Sequence, residues 1–242
     1  MPFSRRKLLG ATPVAWAAAM IAPKVSGATT TDLAVSCDTA AAPAVSAAGV
    51  AYRAKSGVRV RVFPTAPGLI LPQIQRQIQN DIIITQVATI DQAEKAGLVA
   101  QAARAGPWRN RLMTAAAKRP AGPEGSFAVP DASPGSDIDG GAILRHMGAS
   151  PAKVLGVLDT GAVAWTLTNG GARQGLLHLT EVVADERLRS VAPVPDDAWP
   201  PILYAAVVTK LSRRGDPIAF IAFLASPEGL AVLRSAGLES IG

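Results

Sequence analysis

Cysteine is all but missing from this chain. Cys37 is the only one in 242 residues, so no internal disulfide can form and stability must come from packing. Aromatic residues make up only 5%, and no basic run interrupts the body of the chain. Nucleic-acid binding relies on a cationic stripe and a stacking surface, and neither is present, so no nucleic-acid partner is expected; Arg213-Arg214 reads as a solvated turn. Beyond the N-terminal region no apolar run approaches the roughly 20 residues that a spanning helix needs. Ile202 to Val208 is apolar but short, as a buried strand is.

The N-terminus does carry a signal. Ser4-Arg5-Arg6-Lys7-Leu8-Leu9-Gly10 precedes the apolar, small-residue run Ala11 to Ala22, the layout of a secretory signal peptide with an adjacent arginine pair. The run is short, contains Pro13 and ends at Pro23-Lys24, which argues against a spanning anchor; an uncleaved signal acting as a weak anchor is the alternative. Val25-Ser26-Gly27-Ala28 offers small residues for cleavage before Ala28 or Thr29, and no cysteine there invites lipidation. Residues 1–28 are therefore read as a twin-arginine-like signal peptide, with the twin-arginine export machinery as a partner and the periplasm as destination. Of the formal charge of +6, Arg5, Arg6, Lys7 and Lys24 supply four, leaving +2 for the remaining 214 residues. That length suffices for one large core or two modest ones.

From Leu33 the pattern alternates between strand and helix. Leu33 to Cys37 reads as a strand. Ala44, Val45, Ala48, Ala51 and Tyr52 follow at helical spacing up to Lys55-Ser56-Gly57, a basic last turn with a stopping glycine. Val58 to Phe63 is a second strand, and Ile70, Ile74 and Ile78 share one helix face. Asp81 to Thr85 is a third strand, uniformly apolar as a strand covered on both faces should be, and Ile90 to Lys95 a short helix closed by Gly97. Three such units predict an α/β architecture, a mostly parallel sheet with helices on both faces, whose ligand crevice lies at the carboxyl ends of the strands.

After Ala115 the texture changes. Lys118 to Gly125 is a loop rich in proline and glycine, Ser126 to Val129 a strand, and Ile143 to Met147 a helix closing at Gly148. Pro151 to Leu158 is expected to be helical, with its proline at a permitted first-turn position, and Val163 to Leu167 likewise. Leu176 to Leu179, Leu188 to Val194 and Ile202 to Val208 read as strands, with Pro195 to Pro201 a rigid connector. Phe220, Ile221 and Leu224 form a helical stripe, and Ser226-Pro227-Glu228 starts a closing helix that runs to Gly237. Two α/β lobes follow, with the terminal helices returning to the first.

The order of these motifs resembles the periplasmic molybdate-binding protein family, the solute-binding components of molybdate ABC importers. Leu33-Ala34-Val35 matches that family's first strand, and Lys55-Ser56-Gly57-Val58 its lysine-x-glycine-valine break. Gln73-Ile74 and Asp81-Ile82-Ile83-Ile84-Thr85 resemble its glutamine-isoleucine helix and aspartate-led strand, and Asn110-Arg111-Leu112 the opening of its crossing strand. Gly175-Leu176-Leu177 falls at its glycine-isoleucine-valine, and Phe220 to Gly229 is similar to the tail shared across solute-binding proteins. The resemblance implies a two-lobed type II periplasmic-binding-protein fold with mixed, mostly parallel sheets and a hinge of crossing strands. Lobe one would be 30–112 plus 203–242 and lobe two 113–202. It also implies a monomer that closes on a small molecule or oxyanion such as molybdate or tungstate, an inner-membrane ABC permease as partner, no cofactor or metal, and no catalysis.

Within that resemblance the pocket departs from its pattern. The family serine after the first strand falls at Ala40, the second at Pro67 within Ala66-Pro67-Gly68, and the tyrosine at His178. Proline removes the hydroxyl and the backbone N–H together. Thr39 and Thr65 are the neighbouring hydroxyls, with Ser36 a more distant one, and the lobe-two donor falls at Ser136-Asp137. Asp38 ends the first strand; it either caps the next helix or, with Asp137 and His178, makes a cleft suited to a cation or a neutral hydroxylated solute. The candidate ligand set is Asp38, Thr39, Ala40, Thr65, Ala66, Pro67, Ser136, Asp137 and His178. His178 either donates to ligand or bonds a backbone carbonyl, and His146 reads as a helix C-terminal residue. Cys37 with His178 suggests a nucleophile and base, or with Asp38 a soft-metal set; no third orienting residue or further clear ligand supports either, and a small buried hydrophobe is the simpler reading. The alternative function is a repurposed, non-transport binding or scaffold protein with a degenerate anion pocket.

Overall fold

The computed structural model describes residues 32–241 apart from 79, 133–137 and 213–215. The proposed signal peptide, Arg213-Arg214 and the Ser136-Asp137 pair lie outside the described residues.

Two mixed sheets flanked by helices make up the fold. The first unit runs β1 (Leu33–Asp38), α1 (Ala42–Ser56), β2 (Val60–Thr65), α2 (Pro67–Gln75), β3 (Ile82–Gln86), α3 (Val87–Lys95) and β4 (Val99–Asn110). The chain then crosses into β5 (Leu112–Ala117), β6 (Ser126–Pro130), α4 (Gly140–His146), β7 (Lys153–Val157), α5 (Thr160–Thr168), β8 (Gln174–His178), α6 (Leu179–Ala184) and β9 (Leu188–Pro193). It returns as β10 (Ile202–Thr209), α7 (Asp216–Ala225), α8 (Pro227–Ser235) and β11 (Leu238–Ser240).

The first sheet has the order β11-β4-β10-β3-β1-β2 and the second β7-β6-β8-β5-β9. Pairing is parallel where β-α-β units generate it, at β1 with β2 and β3 and at β6 with β7 and β8. The strands that cross between lobes, or follow the crossing, pair antiparallel: β10 with β3 and β4, and β5 with β8 and β9. The carboxyl ends of β1, β2 and β3 therefore lie together, where the strand pattern placed the crevice.

Local chemistry accounts for the element boundaries. α1 ends as expected, Gly57 taking the left-handed conformation at φ 74°, a conformation that costs a Cβ-bearing residue more. Asp139, Asp159 and Ser226 cap α4, α5 and α8 by accepting the N–H groups of Ala142, Ala162 and Gly229. Two expectations change. The segment from Pro151 to Leu158 holds β7 and no helix: Val154, Leu155 and Val157 suit an extended edge paired to β6. Ile78 does not extend the face of Ile70 and Ile74, because α2 stops at Gln75 and Gln77 turns the chain with φ 58°. Ile78 is left exposed.

Ile70, Ile74, Ile83 and Ile90 form a core under α2 and α3, and Val163, Leu167 and Leu177 one under α5. The largest cluster gathers Leu33, Val35 and Cys37 with α1, α7 and α8 and extends to Phe127, Val129, Ile143 and Leu176 of the second lobe. Tyr52 packs against Phe220 and Phe223 with ring centroids 5.1 and 5.4 Å away. Among the described residues no single helix is long and apolar enough to cross a membrane.

Candidate functional site

Strand alternation puts Cys37 into the main core with the α1 alanines, and Ser36 and Asp38 on the opposite face. Asp38 is only 1% exposed at the carboxyl end of β1. Its Oδ1 accepts from the Ala40 N–H at 3.1 Å, and its backbone carbonyl accepts from Ala41 at 2.9 Å. The Thr39 N–H donates to the Thr65 carbonyl at 3.1 Å. Three consecutive amides at the mouth of α1 are thus satisfied within the protein, and Pro43, inside the first turn, has none to give.

The second arm is similarly inward-looking. The Thr65 hydroxyl lies 3.1 Å from the Phe63 carbonyl and 3.1 Å from the Ser36 hydroxyl, which also reaches Gln73 Oε1 at 3.3 Å. Ala66 stands at the N-cap of α2 without a side-chain bond, and Pro67 follows as the first helical residue. The structure thus brings Asp38, Thr39, Ala40 and Thr65 into one turn, with Ala66 and Pro67 beside it.

His178 ends β8 and caps α6. Its ring is fully buried, its backbone N–H donates to Glu181 Oε2 at 3.0 Å, and its ring Nδ1 lies 3.1 Å from the same oxygen. Thr160 donates to the other carboxylate oxygen at 2.7 Å. Two residues on, Thr180 donates its hydroxyl to the Ala40 carbonyl. The Asn110 amide reaches that carbonyl at 3.3 Å and Thr180 Oγ1 at 2.9 Å. The entry turn of α1, the β4–β5 crossing and the start of α6 are knotted together by buried groups. Neither Glu181 nor Thr180 stood out in the sequence, although Glu181 lies at the three-residue spacing of a capping box.

Next to this knot a cavity of about 620 Å³ opens between the lobes, walled by Thr39 and Pro43 on one side and by Ala164, Glu181, Ala184, Asp185, Glu186 and Arg187 on the other. Arg187 is spent on Asp185, at 2.7 and 2.9 Å, and its hydrogen bond holds the Asp185 carboxyl below the usual carboxylate range. At the crossing strands, Arg109 pairs with Asp196 and Arg111 with Glu239. His146 closes α4 within 3.4 Å of Asp197.

Burial, then the neighbouring Asp38, pushes the Cys37 thiol well above its ordinary pKa, the wrong direction for a nucleophile. Among the described residues no three His, Cys, Asp or Glu side chains assemble as a metal set.

Two mixed-sheet lobes joined by crossing strands, with a cavity walled from both, make a two-lobed α/β architecture of the periplasmic-binding-protein kind. Residues 33–239 match the bacterial extracellular solute-binding protein family, and the chain belongs to that family; its members bind solutes for transport and are not enzymes. No curated protein matches the chain in sequence. Among solved structures, the periplasmic molybdate-binding protein of Azotobacter vinelandii superposes with a TM-score of 0.74 at 15% identity, over 87% of this chain and 100% of that one. The sulfate-binding protein SubI of Mycobacterium tuberculosis gives 0.63 at 16%, over 87% of each chain. Iron-bound HitA of Pseudomonas aeruginosa gives 0.54 at 15%, over 84% of each. Oxyanion and iron receptors alike share the architecture, so the likeness carries the fold and leaves the ligand to the pocket.

Proposed function

We propose that this protein is the periplasmic solute-binding component of an ABC importer, exported through its twin-arginine-like leader and handing a small solute to an inner-membrane permease. The observation that carries this reading is the cavity of about 620 Å³ walled by Thr39 and Pro43 from one lobe and by α5 and α6 from the other. Residues 30–112 with 203–242 act as lobe one and 113–202 as lobe two. Closure of one on the other is the signal the permease reads. The ligand set expected from the sequence is Asp38, Thr39, Ala40, Thr65, Ala66, Pro67, Ser136, Asp137 and His178; of these Thr39 walls the cavity, while Asp38, Ala40, Thr65 and His178 are buried. A molybdate-like oxyanion is the family precedent, with specificity altered by the residues now standing at Ala40, Pro67 and His178.

The test is a thermal-shift screen of the mature protein against oxyanions, sugars, amino acids, amines and divalent metals, followed by small-angle scattering on each hit. A receptor gains several degrees and contracts with its solute. A second reading, a non-transport binding or scaffold protein, is favoured by the buried Ala40–Asn110–Thr180 knot, which ties the lobes together through the protein's own groups. It predicts no contraction with any solute in the screen.

A further inference from the structure

We propose that lobe two carries a second binding site of its own: the pocket of Lys118, Arg119 and Arg187, where β5 ends and β9 begins, takes a small multivalent anion.

The pocket has a volume of about 510 Å³ and is lined by Ala117, Lys118, Arg119, Thr168, Glu186 and Arg187, a size that suits a small molecule. It shares Glu186 and Arg187 with the interlobe cavity but draws no residue from lobe one. Three cations line it against one acid. The Lys118 N–H donates to the Arg187 carbonyl at 2.7 Å, one step beyond the Ala117–Leu188 pair of the β5–β9 ladder. Two like charges therefore stand opposite each other, an arrangement that destabilises a sheet unless it is offset. Arg187 finds its offset within the protein. It is bonded to Asp185 at 2.7 and 2.9 Å, and Glu186 acts on the same guanidinium. Lys118 and Arg119 are both exposed, and among the described residues neither side chain pairs with a carboxylate.

A structural task for these two cations would be to neutralise the carbonyl end of α5, which has no basic residue in its last turn. That end is already closed. The carbonyls of Trp165, Thr166 and Leu167 accept from the N–H groups of Asn169, Gly171 and Gly170, and the Asn169 side-chain amide adds a second bond to Trp165. The loop that carries Arg119 is also fixed. Arg173 donates to the Pro120 carbonyl at 3.2 Å, and Gly122 lies so close to the Ala172 backbone that a Cβ there would collide with it. Lys118 and Arg119 thus start from anchored backbone on one wall of the pocket, with their charges unspent. A monovalent anion offsets one of them; a ligand with two or more charges offsets both, and a guanidinium grips carboxylate or phosphate oxygens through paired N–H donors.

The test titrates sodium pyrophosphate into the mature protein by calorimetry, with sodium chloride at equal ionic strength as the control. One site per chain is expected, weakened by added salt. Lys118→Glu and Arg119→Glu should each weaken it at least about tenfold, the scale of one charge-assisted hydrogen bond. Lys95→Glu makes the same change of net charge at the exposed end of α3 in the other lobe and should bind as wild type does. Absence of binding by wild type overturns the inference, as does equal loss in all three variants or no loss at Lys118 and Arg119. Binding to phosphatidylglycerol vesicles without binding of free pyrophosphate also overturns it. If a charge reversal does not fold, Lys118→Gln decides: weaker binding supports the inference and unchanged binding overturns it. Small-angle scattering separates this site from the cleft, since a pocket within one lobe leaves the radius of gyration unchanged and contraction with pyrophosphate overturns the inference. The receptor reading fails independently, by the absence of contraction with every solute screened.

Discussion

Asn110 is the residue on which the lobe junction turns. Its side-chain amide reaches both the Ala40 carbonyl and the Thr180 hydroxyl, and its own carbonyl lies 3.5 Å from the Thr180 N–H. Because it is 2% exposed, truncation leaves those groups without water to replace it. Asn110→Ala should cost about 1–3 kcal/mol of stability, read as a lower urea midpoint at unchanged slope. A second residue-scale outcome concerns pH. The Arg187 hydrogen bond lowers the Asp185 pKa in the fold. Its contribution is therefore present above the ordinary carboxylate range near 4 and is lost as pH falls through the depressed folded value. Wild type should exceed Asp185→Asn in melting temperature at pH 7, by a modest margin because the pair is largely solvated, and the two should converge toward pH 3; a gap that widens on acidification contradicts the pairing. At this scale the sequence was partly legible. Alanine at 40, proline at 67 and histidine at 178 stand out only against the pattern that the resemblance implies. The partners that consume the remaining donors were not visible, because Thr180 and Asn110 are 70 residues apart in sequence and meet only through the crossing of two lobes.

Elements with strong local signals were readable and those created by pairing were not. α1, β3 and α8 announced themselves through an alanine and valine stripe with a terminal glycine, an isoleucine run, and a serine-proline-glutamate start. β4, by contrast, is 12 residues of mostly alanine, arginine and glycine with no clear alternation; it is a strand because β10 and β11 flank it on both sides. β7 misled for the opposite reason, a local proline cue overruled by the β6 edge. The turn from α8 into β11 yields a direct outcome. Gly237 has φ 94°, and a Cβ there would lie 2.8 Å from the Thr180 N atom. Gly237→Ala combines left-handed strain with a backbone clash against α6, and should destabilise by about 2–3 kcal/mol. Gly57→Ala has φ 74° but nothing within 4 Å and should cost only the strain. The difference between the two in chemical denaturation isolates the contact with α6.

For the molecule as a whole, the question is whether two sheets mean two independently stable bodies. Each lobe has its own satellite cluster, under α2 and α3 in one and α5 in the other, which would favour separate unfolding. Against that, the main cluster runs without a break from Leu33, Ile84 and Tyr204 through Leu112, Val194 and Ile202 at the crossing to Phe127, Ile143 and Leu176. Apolar burial scales with area and dominates the favourable side of folding, so a core shared across the hinge couples the lobes more strongly than the exposed Arg109–Asp196 and Arg111–Glu239 pairs can. The order of the chain adds to this coupling, since the first sheet is completed only by β10 and β11, which follow the whole second lobe. Calorimetry of the mature protein should therefore show one transition, with calorimetric and van't Hoff enthalpies agreeing. Two resolved transitions would mean that the shared cluster contributes little. Leu112 lies at the crossing, and Leu112→Ala should lower the single melting temperature without splitting the peak if the satellite clusters are too small to hold either sheet alone. A solute that binds between the lobes then raises the stability of both together, by an amount set only by its concentration relative to its dissociation constant.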